Sequence, residues 1–379
     1  MTGIFELKDV SFCHHPGLPN VLEHFDFSIE EGERTAVLGA NGAGKTTLFN
    51  TLAGVYKPQE GEVLYRGKPI EYTKDGLTAV RSDIAVVLQN PDEQMFCSLV
   101  EEDVAFGPLN LGIDRDEIEV RIEKALRDVR MSEYRNRPLQ QLSGGQRKRI
   151  AIAGALACRP KVMIMDEPTA GLDPQASAEV MELAEKLYLE GVTVIISTHD
   201  VDLAYGWAES ICAICSGRNV FRGTPEAFYS RTEDVMRCGL LPPSIYSMNR
   251  EISHITGTPE DPYPRNLCSF LAKFEKSNNV PGRLFCVPCE GEELSELYET
   301  AVKEAGPDTK VGVCGPDARY GLSGKRIDFY FSGIESCFTE AVLGRDSVLF
   351  YDSIFDKTVK EQADVLKQFG TDVVMEGIQ

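Results

Sequence analysis

Two short stretches, residues 162–166 (VMIMD) and 192–197 (VTVIIS), are apolar at nearly every position. A strand covered on both faces needs that pattern, and parallel sheets supply it. Residues 5–10 (FELKDV), 35–39 (TAVLG) and 84–89 (IAVVLQ) are further strand candidates. Between them, residues 45–53, 115–129, 146–157 and 174–189 repeat their apolar positions at helical spacing. Short β-rich runs alternating with longer helical ones, from Ile4 to Gly223, predict an α/β fold with a mostly parallel sheet. A composition change follows, with Pro242, Pro243, Pro259, Pro262 and Pro264 in one irregular stretch. The chain is therefore expected to divide into residues 1–240, a proline-rich linker at 241–266, and a smaller α/β domain at 267–379. In that last part RLFCVP (283–288), KVGVC (310–314), IDFYF (327–331), SVLFYD (347–352) and TDVVM (371–375) are the strand candidates, with helices expected at 291–305 and 358–369.

At 379 residues the chain has room for two ordinary cores. Its net charge is −20, and no basic run is long enough to follow a nucleic-acid backbone, which disfavours that class of partner. The opening MTGIFELKDV lacks a signal-peptide core, and no run of 18 apolar residues occurs, so neither secretion nor a membrane span is expected. Eleven cysteines without a regular framework fit reduced thiols. The C-x-x-C pairs Cys212/Cys215 and Cys286/Cys289 invite a zinc reading, but the first lies in a strand–turn–strand pattern (SICAICSGRNVFRG) and the second at a strand end, where cysteine more often serves as a small hydrophobe.

The chemistry is concentrated in three places. Gly39-Ala40-Asn41-Gly42-Ala43-Gly44-Lys45-Thr46-Thr47 follows a strand candidate and opens a helical run. Glycines at these positions let backbone N–H groups converge on an anion, and the helix N-terminus adds partial positive charge. Lys45 would neutralise β- and γ-phosphate charge, and the Thr46 hydroxyl would ligate Mg²⁺. Asp166 ends an apolar strand, where its carboxylate reaches a phosphate-bound Mg²⁺. Glu167 beside it is not needed for the metal, and its obvious use is to orient and deprotonate an attacking water. Ser143-Gly144-Gly145-Gln146 forms a second anion-receptive helix start. One ATP does not easily occupy both starts within one protomer, so the simplest resolution gives this one to the nucleotide of a second copy.

With these motifs in order, residues 1–240 resemble the ATP-binding subunit of an ABC transporter, matching its Walker A, Walker B and LSGGQ signature segments. The resemblance implies head-to-tail pairing with an identical or related ATPase subunit, in which Ser143, Gly144, Gly145 and Gln146 act in trans on the γ-phosphate. Asp173 in AGLD matches the loop that crosses the dimer interface, and His199 in ISTHD matches the switch histidine that contacts the γ-phosphate. Gln89 matches the glutamine that touches Mg²⁺ and the attacking water. The segment after it, LQNPDEQMFCSLVEEDVAFGPLNLGI, is similar to the energy-coupling-factor type, and within it to the cobalt-transport ATP-binding subunit. His14 stands where the family usually places an aromatic that stacks on adenine.

The resemblance thus implies an ATPase with Glu167, His199 and Gln89 in catalysis and with Thr46, Gln89 and Asp166 at Mg²⁺. It would sit at the cytoplasmic face of the cell membrane, contact integral membrane components through the Gln89 loop, and drive import of cobalt. Nickel or a vitamin would use the same machinery. A soluble ABC ATPase and a binding-only regulator are the rival classes. The first would carry a coiled-coil insertion or a second nucleotide domain, neither visible here. The second would have no need of Glu167 and His199.

Overall fold

The computed structural model describes residues 3–274, 280–290, 294–306 and 308–378. They divide into two compact units, Met1–Pro242 and Pro243–Gln379.

Among the described residues of the first unit the strands are β1 (Gly3–Phe12), β2 (Leu22–Glu30), β3 (Arg34–Leu38), β4 (Glu60–Tyr65), β5 (Lys68–Pro69), β6 (Ile84–Val87), β7 (Val162–Asp166), β8 (Thr193–Thr198), β9 (Ser210–Cys215) and β10 (Arg218–Gly223). They form two sheets, ordered β2-β1-β4-β5 and β10-β9-β3-β8-β7-β6. The second sheet is parallel except for the β9/β10 hairpin at one edge. Every residue of β7 and β8 is buried, as their unbroken apolar runs predict. In β2, by contrast, Phe25, Phe27 and Ile29 point inward while His24, Asp26 and Ser28 face solvent. That alternation of period two marks an antiparallel sheet with one wet face. Phe25, Phe27 and Ile29 share one core with Leu48, Phe49 and Leu52 of the helix after β3, and with Ile164 of β7.

The helices fall close to their predicted places. The first runs Lys45–Leu52, the second of the predicted four Arg115–Asp128, and Pro174–Leu189 matches outright. The helix expected from Gln146 begins two residues earlier, as Gly144–Ala157, because Ser143 caps it. The EDVAFG segment lies in the helix Val100–Asn110.

The second unit, among its described residues, carries β11 (Arg283–Cys289), β12 (Lys310–Cys314), β13 (Ser347–Asp352) and β14 (Val374–Gly377) in a parallel sheet ordered β12-β13-β11-β14. Phe285, Val287, Val311, Val313, Val348 and Phe350 fill its core. The expected helix at 291–305 is seen as Leu294–Ala305; residues 291–293 lie outside the described residues.

Two expectations need correction here. IDFYF is not a strand: Phe329 makes a single bridge to Gly312. Its residues are used otherwise, for Asp328 accepts from Val311 N–H at 3.0 Å and the Tyr330 carbonyl accepts from Arg319. The stretch expected as an irregular linker holds the helix Ser244–Thr256 and groups with the second unit. Tyr246, Asn249 and Ser253 recur on one helix face and are buried. Asn249 donates to the Glu260 carbonyl at 3.0 Å, and Tyr246 stacks on Tyr263 at 5.4 Å, so the proline segment folds back over the helix. The prolines bound this helix rather than prevent it: Pro243 stands at its start and Pro259 lies beyond its end.

Candidate active site

Parallel pairing aligns the carboxyl ends of the central strands. Leu38 of β3 pairs with Thr198 of β8, Asp166 of β7 with Ser197, and Val87 of β6 with Met165. The residues just past those ends are therefore neighbours: Gly39, His199, Glu167 and the Gln89 turn. In open α/β sheets this edge is where ligands bind.

The glycine-rich turn takes its shape from one close approach and one left-handed residue. A Cβ on Gly39 would lie 2.4 Å from the Ile214 carbonyl oxygen. Gly44, with φ of 112°, caps the helix Lys45–Leu52 in the left-handed region that disfavours other residues, and it offers no side chain to the helix start. Lys45 turns back along the loop. Its Nζ donates to the Gly39 carbonyl at 2.7 Å and lies 3.7 Å from Glu167 Oε1.

Asp166 is held from two sides. Thr46 Oγ1 donates to its Oδ2 at 2.5 Å, and Ser197 Oγ donates to its Oδ1. The same Ser197 oxygen accepts from the Glu167 backbone N–H at 2.9 Å. Glu167 has φ of +48°, uncommon for a non-glycine residue and a local strain of about 1–3 kcal/mol. The residue is 4% exposed. Oε2 meets His199 Nδ1 at 2.9 Å, and Oε1 is buried with no hydrogen-bond partner among the described residues. The charge on Oε1 is met by the Lys45 ammonium 3.7 Å away, which leaves the oxygen free of a hydrogen bond among the described residues. The donor set also suits Mg²⁺: a hydroxyl and a carboxylate, both hard oxygen ligands, converge at the foot of the phosphate loop.

Gln89 is exposed and stands two residues past the end of β6. Its turn is shaped by Gln94, which accepts from Leu88 N–H and donates to the Val86 carbonyl, each at 3.0 Å.

Ser143 and Gln146 are spent on each other. The Ser143 hydroxyl accepts from Gln146 N–H at 3.3 Å, and Gln146 Oε1 accepts from Ser143 N–H at 2.8 Å, a capping box. Gly144 is exposed, and a Cβ on Gly145 would meet Leu172 of AGLD at 3.3 Å. Asp173 caps the helix Pro174–Leu189 through Ala176 N–H at 2.8 Å. The structure thus brings Lys45, Thr46, Asp166, Glu167 and His199 into one cluster. The side-chain hydrogen bonds of Ser143, Gln146 and Asp173 serve their own helix starts.

His14 is exposed and stands edge-on to Phe12 at 5.3 Å and to Tyr56 at 5.5 Å, while Phe12 and Tyr56 stack at 4.8 Å. Tyr56 was not foreseen. Neither were Ser197 and Lys148. Lys148 is 2% exposed, and burial brings its ammonium down to about 8, partly offset by the carboxylates of Glu167 and Asp166. A signal for it existed: Lys148 lies on the helix face of Ile152 and Ala155, at i, i+4 and i+7, where an apolar residue is expected. Burial likewise pushes the thiols of Cys212, Cys286 and Cys289 up to about 12.

The ABC transporter family profile matches residues 22–170. The energy-coupling factor transporter ATP-binding protein EcfA of Methanocaldococcus jannaschii is 46% identical over 242 residues, spanning 64% of this chain and 86% of that one. This chain belongs to the ATP-binding subunits of energy-coupling factor ABC transporters. EcfA2 of Methanospirillum hungatei is 39% identical over 284 residues, 75% of this chain and 71% of its own. Among solved structures, cbiO1 from Clostridium perfringens, described as part of the ABC transporter complex cbiONQ, is 35% identical with a TM-score of 0.57, covering 68% of this chain and all of that one. A dimeric ATP-binding cassette bound to ADP and Pi is 29% identical with a TM-score of 0.54, covering 58% of this chain and 98% of its own. The chain is an ABC ATPase, and ATP is its nucleotide.

Proposed function

We propose that this ATPase powers import of a micronutrient, cobalt ion foremost, through a membrane partner at the cytoplasmic face. The likeness to cbiO1 and the QNPDEQ turn support the cargo class. Two nucleotide units, identical or related, pair head-to-tail so that Ser143, Gly144, Gly145 and Gln146 of one face the ATP on Gly39–Thr47 of the other, with Asp173 at the crossing. The dimeric ATP-binding cassette among the solved structures supports such pairing.

Thr46 and Asp166, with Gln89 from the neighbouring turn, are the residues that would hold Mg²⁺. The ion, when bound, neutralises charge on the β- and γ-phosphate oxygens. Lys45 leaves the Gly39 carbonyl for phosphate oxygens and stabilises the charge that develops on them. Glu167 accepts the proton of the attacking water through Oε1, while His199 holds Oε2 and so fixes the carboxylate plane. His14 and Tyr56 offer ring faces to adenine. Phosphate binding draws the partner's signature helix in and excludes water; hydrolysis releases it, and the Gln89 turn transmits the motion to the membrane subunits.

The buried Glu167 carboxylate, held by His199 at Oε2 and facing Lys45 across 3.7 Å at Oε1, carries the catalytic part of this reading. Glu167→Gln keeps the shape and removes the base, so ATP should still bind while steady-state turnover falls about 10²–10⁴-fold. Turnover near wild type would remove Glu167 from that role. For the cargo, the complex is purified from membranes and its bound metal identified; a partner set that moves no cobalt would overturn that assignment.

A further inference from the structure

At the sheet edge of the first unit the Glu167 carbonyl accepts from Ala170 N–H at 3.1 Å, so the Glu167 peptide and the AGLD turn form one closed turn, and the Gln89 turn follows the neighbouring strand. One ammonium joins them. Lys148 Nζ donates to the Glu167 carbonyl at 2.6 Å, and lies 3.4 Å from both the Gln89 and the Ala170 carbonyl oxygens. An ammonium has three donors and no acceptor, and here each donor meets one carbonyl.

The helix that supplies this lysine is the one that starts at Ser143, so Lys148 lies little more than a turn from the signature glycines. Two further contacts repeat the same connection. Arg147, the preceding residue, pairs with Asp92 of the segment after Gln89 at 2.7 Å. Gly145 approaches Leu172 so closely that a Cβ there would lie 3.3 Å from its Cδ2. The start of this helix is thus fastened to the Gln89 segment on one side and to the AGLD turn on the other. Lys148 reaches the strained backbone of Glu167 between them.

We infer that Lys148 is a positioning residue that couples the signature helix to the hydrolytic carboxylate and the Gln89 turn of its own chain. This rests on the reading of Glu167 and Gln89 given above. In a head-to-tail pair the signature helix senses the nucleotide held by the partner, whereas Glu167 and Gln89 serve the nucleotide of their own chain. A helix displacement at one nucleotide is therefore passed to the base at the other, with Lys148 as the side chain that bonds the Glu167 backbone directly. Glu167 at φ of +48° depends on such outside restraint, because its backbone conformation is not one it would adopt unaided.

The test uses the full chain in its purified membrane complex, with turnover measured against Mg·ATP concentration. Lys148→Met keeps length and packing and removes all three donors. The expected result is a fall in kcat of about 30–100-fold, as for a catalytic group displaced by a fraction of an ångström to one ångström, with KM for ATP nearly unchanged. Lys148→Gln, which restores amide donors on a shorter stem, should recover part of the loss. On a Gln89→Ala background Lys148→Met should cost clearly less than it does alone, since the two act through one turn. A purely structural lysine would instead shift KM and kcat together, show no rescue by glutamine, and add its effect independently of Gln89; any of these overturns the proposal. Glu167→Gln is run in parallel. If it abolishes turnover while Lys148→Met retains full kcat, the lysine proposal alone fails. If Glu167→Gln itself retains turnover, the reading beneath it has failed.

Discussion

Ser197→Ala tests how the site is held together, because one hydroxyl serves both carboxylate residues. Ser197 is fully buried, donates to Asp166 Oδ1 and accepts from Glu167 N–H at 2.9 Å. Alanine leaves a buried amide without an acceptor and a buried carboxylate oxygen without a donor. Each orphaned group costs about 1–3 kcal/mol, and the void left by one oxygen is too small for water to replace it. Because Thr46 still binds Oδ2 of Asp166, the lower half of the summed range is the better figure, about 2–4 kcal/mol. A domain the size of Met1–Pro242 loses about 2–4 °C of melting temperature per kcal/mol, so the transition should fall by about 4–16 °C. Catalysis should suffer separately. With its N–H released, the Glu167 backbone at φ of +48° loses a restraint and its carboxylate drifts, lowering kcat by about 10–100-fold. ATP affinity measured in chelator should hold, because no group on Gly39–Lys45 has changed. Thermal melts by circular dichroism and steady-state phosphate release are sufficient assays. A variant that melts with the wild type and turns over at full rate would refute the claim that this hydroxyl organises the site.

Two further outcomes are expected. His14→Ala removes one ring of the Phe12/Tyr56 cluster, and a lost aromatic contact of about 0.5–1.5 kcal/mol weakens ATP binding by about 2–12-fold, readable by titration calorimetry; unchanged affinity would remove His14 from the adenine site. Asp328 titrates below the ordinary carboxylate range, because burial, which alone would raise it, is outweighed by the Val311 N–H and by Arg326 and Lys310. A depressed carboxylate contributes stability above the unfolded value near 4, and that stability is lost as pH falls through the lower folded value. Melts recorded from neutral pH downward should therefore steepen below about pH 4 in the wild type and less so in Asp328→Asn; equal slopes would count against the assignment.

The parts of the chain that were legible in sequence are those where one local rule dominates. Unbroken apolar runs marked β7 and β8 because both sheet faces are covered, and apolar positions at helical spacing marked the helix Pro174–Leu189 because one of its faces is buried. The turn at Gly39–Gly44 and the helix it opens were legible because glycine there takes close approaches and backbone angles closed to other residues. IDFYF misled because aromatic residues suit a strand and equally suit packing beneath Arg319, and only tertiary context decides. The stretch 241–266 misled because proline count outweighed the weaker spacing of Tyr246, Asn249 and Ser253. Ser197 and Lys148 were missed for a common reason: each acts through backbone groups of residues distant in sequence, and a motif records neighbours along the chain rather than across strands.

Lys45 resting on the Gly39 carbonyl has a further consequence. On the proposed reading the loop would come to the nucleotide already folded around its own ammonium, so arrival of a phosphate would exchange one bond for another without ordering a slack segment. The entropy that a floppy loop would surrender on each encounter is spent once, during folding, and repeated cycles of loading and release are not taxed by it. A motor that must reload after every stroke gains from a cradle that keeps its shape between strokes.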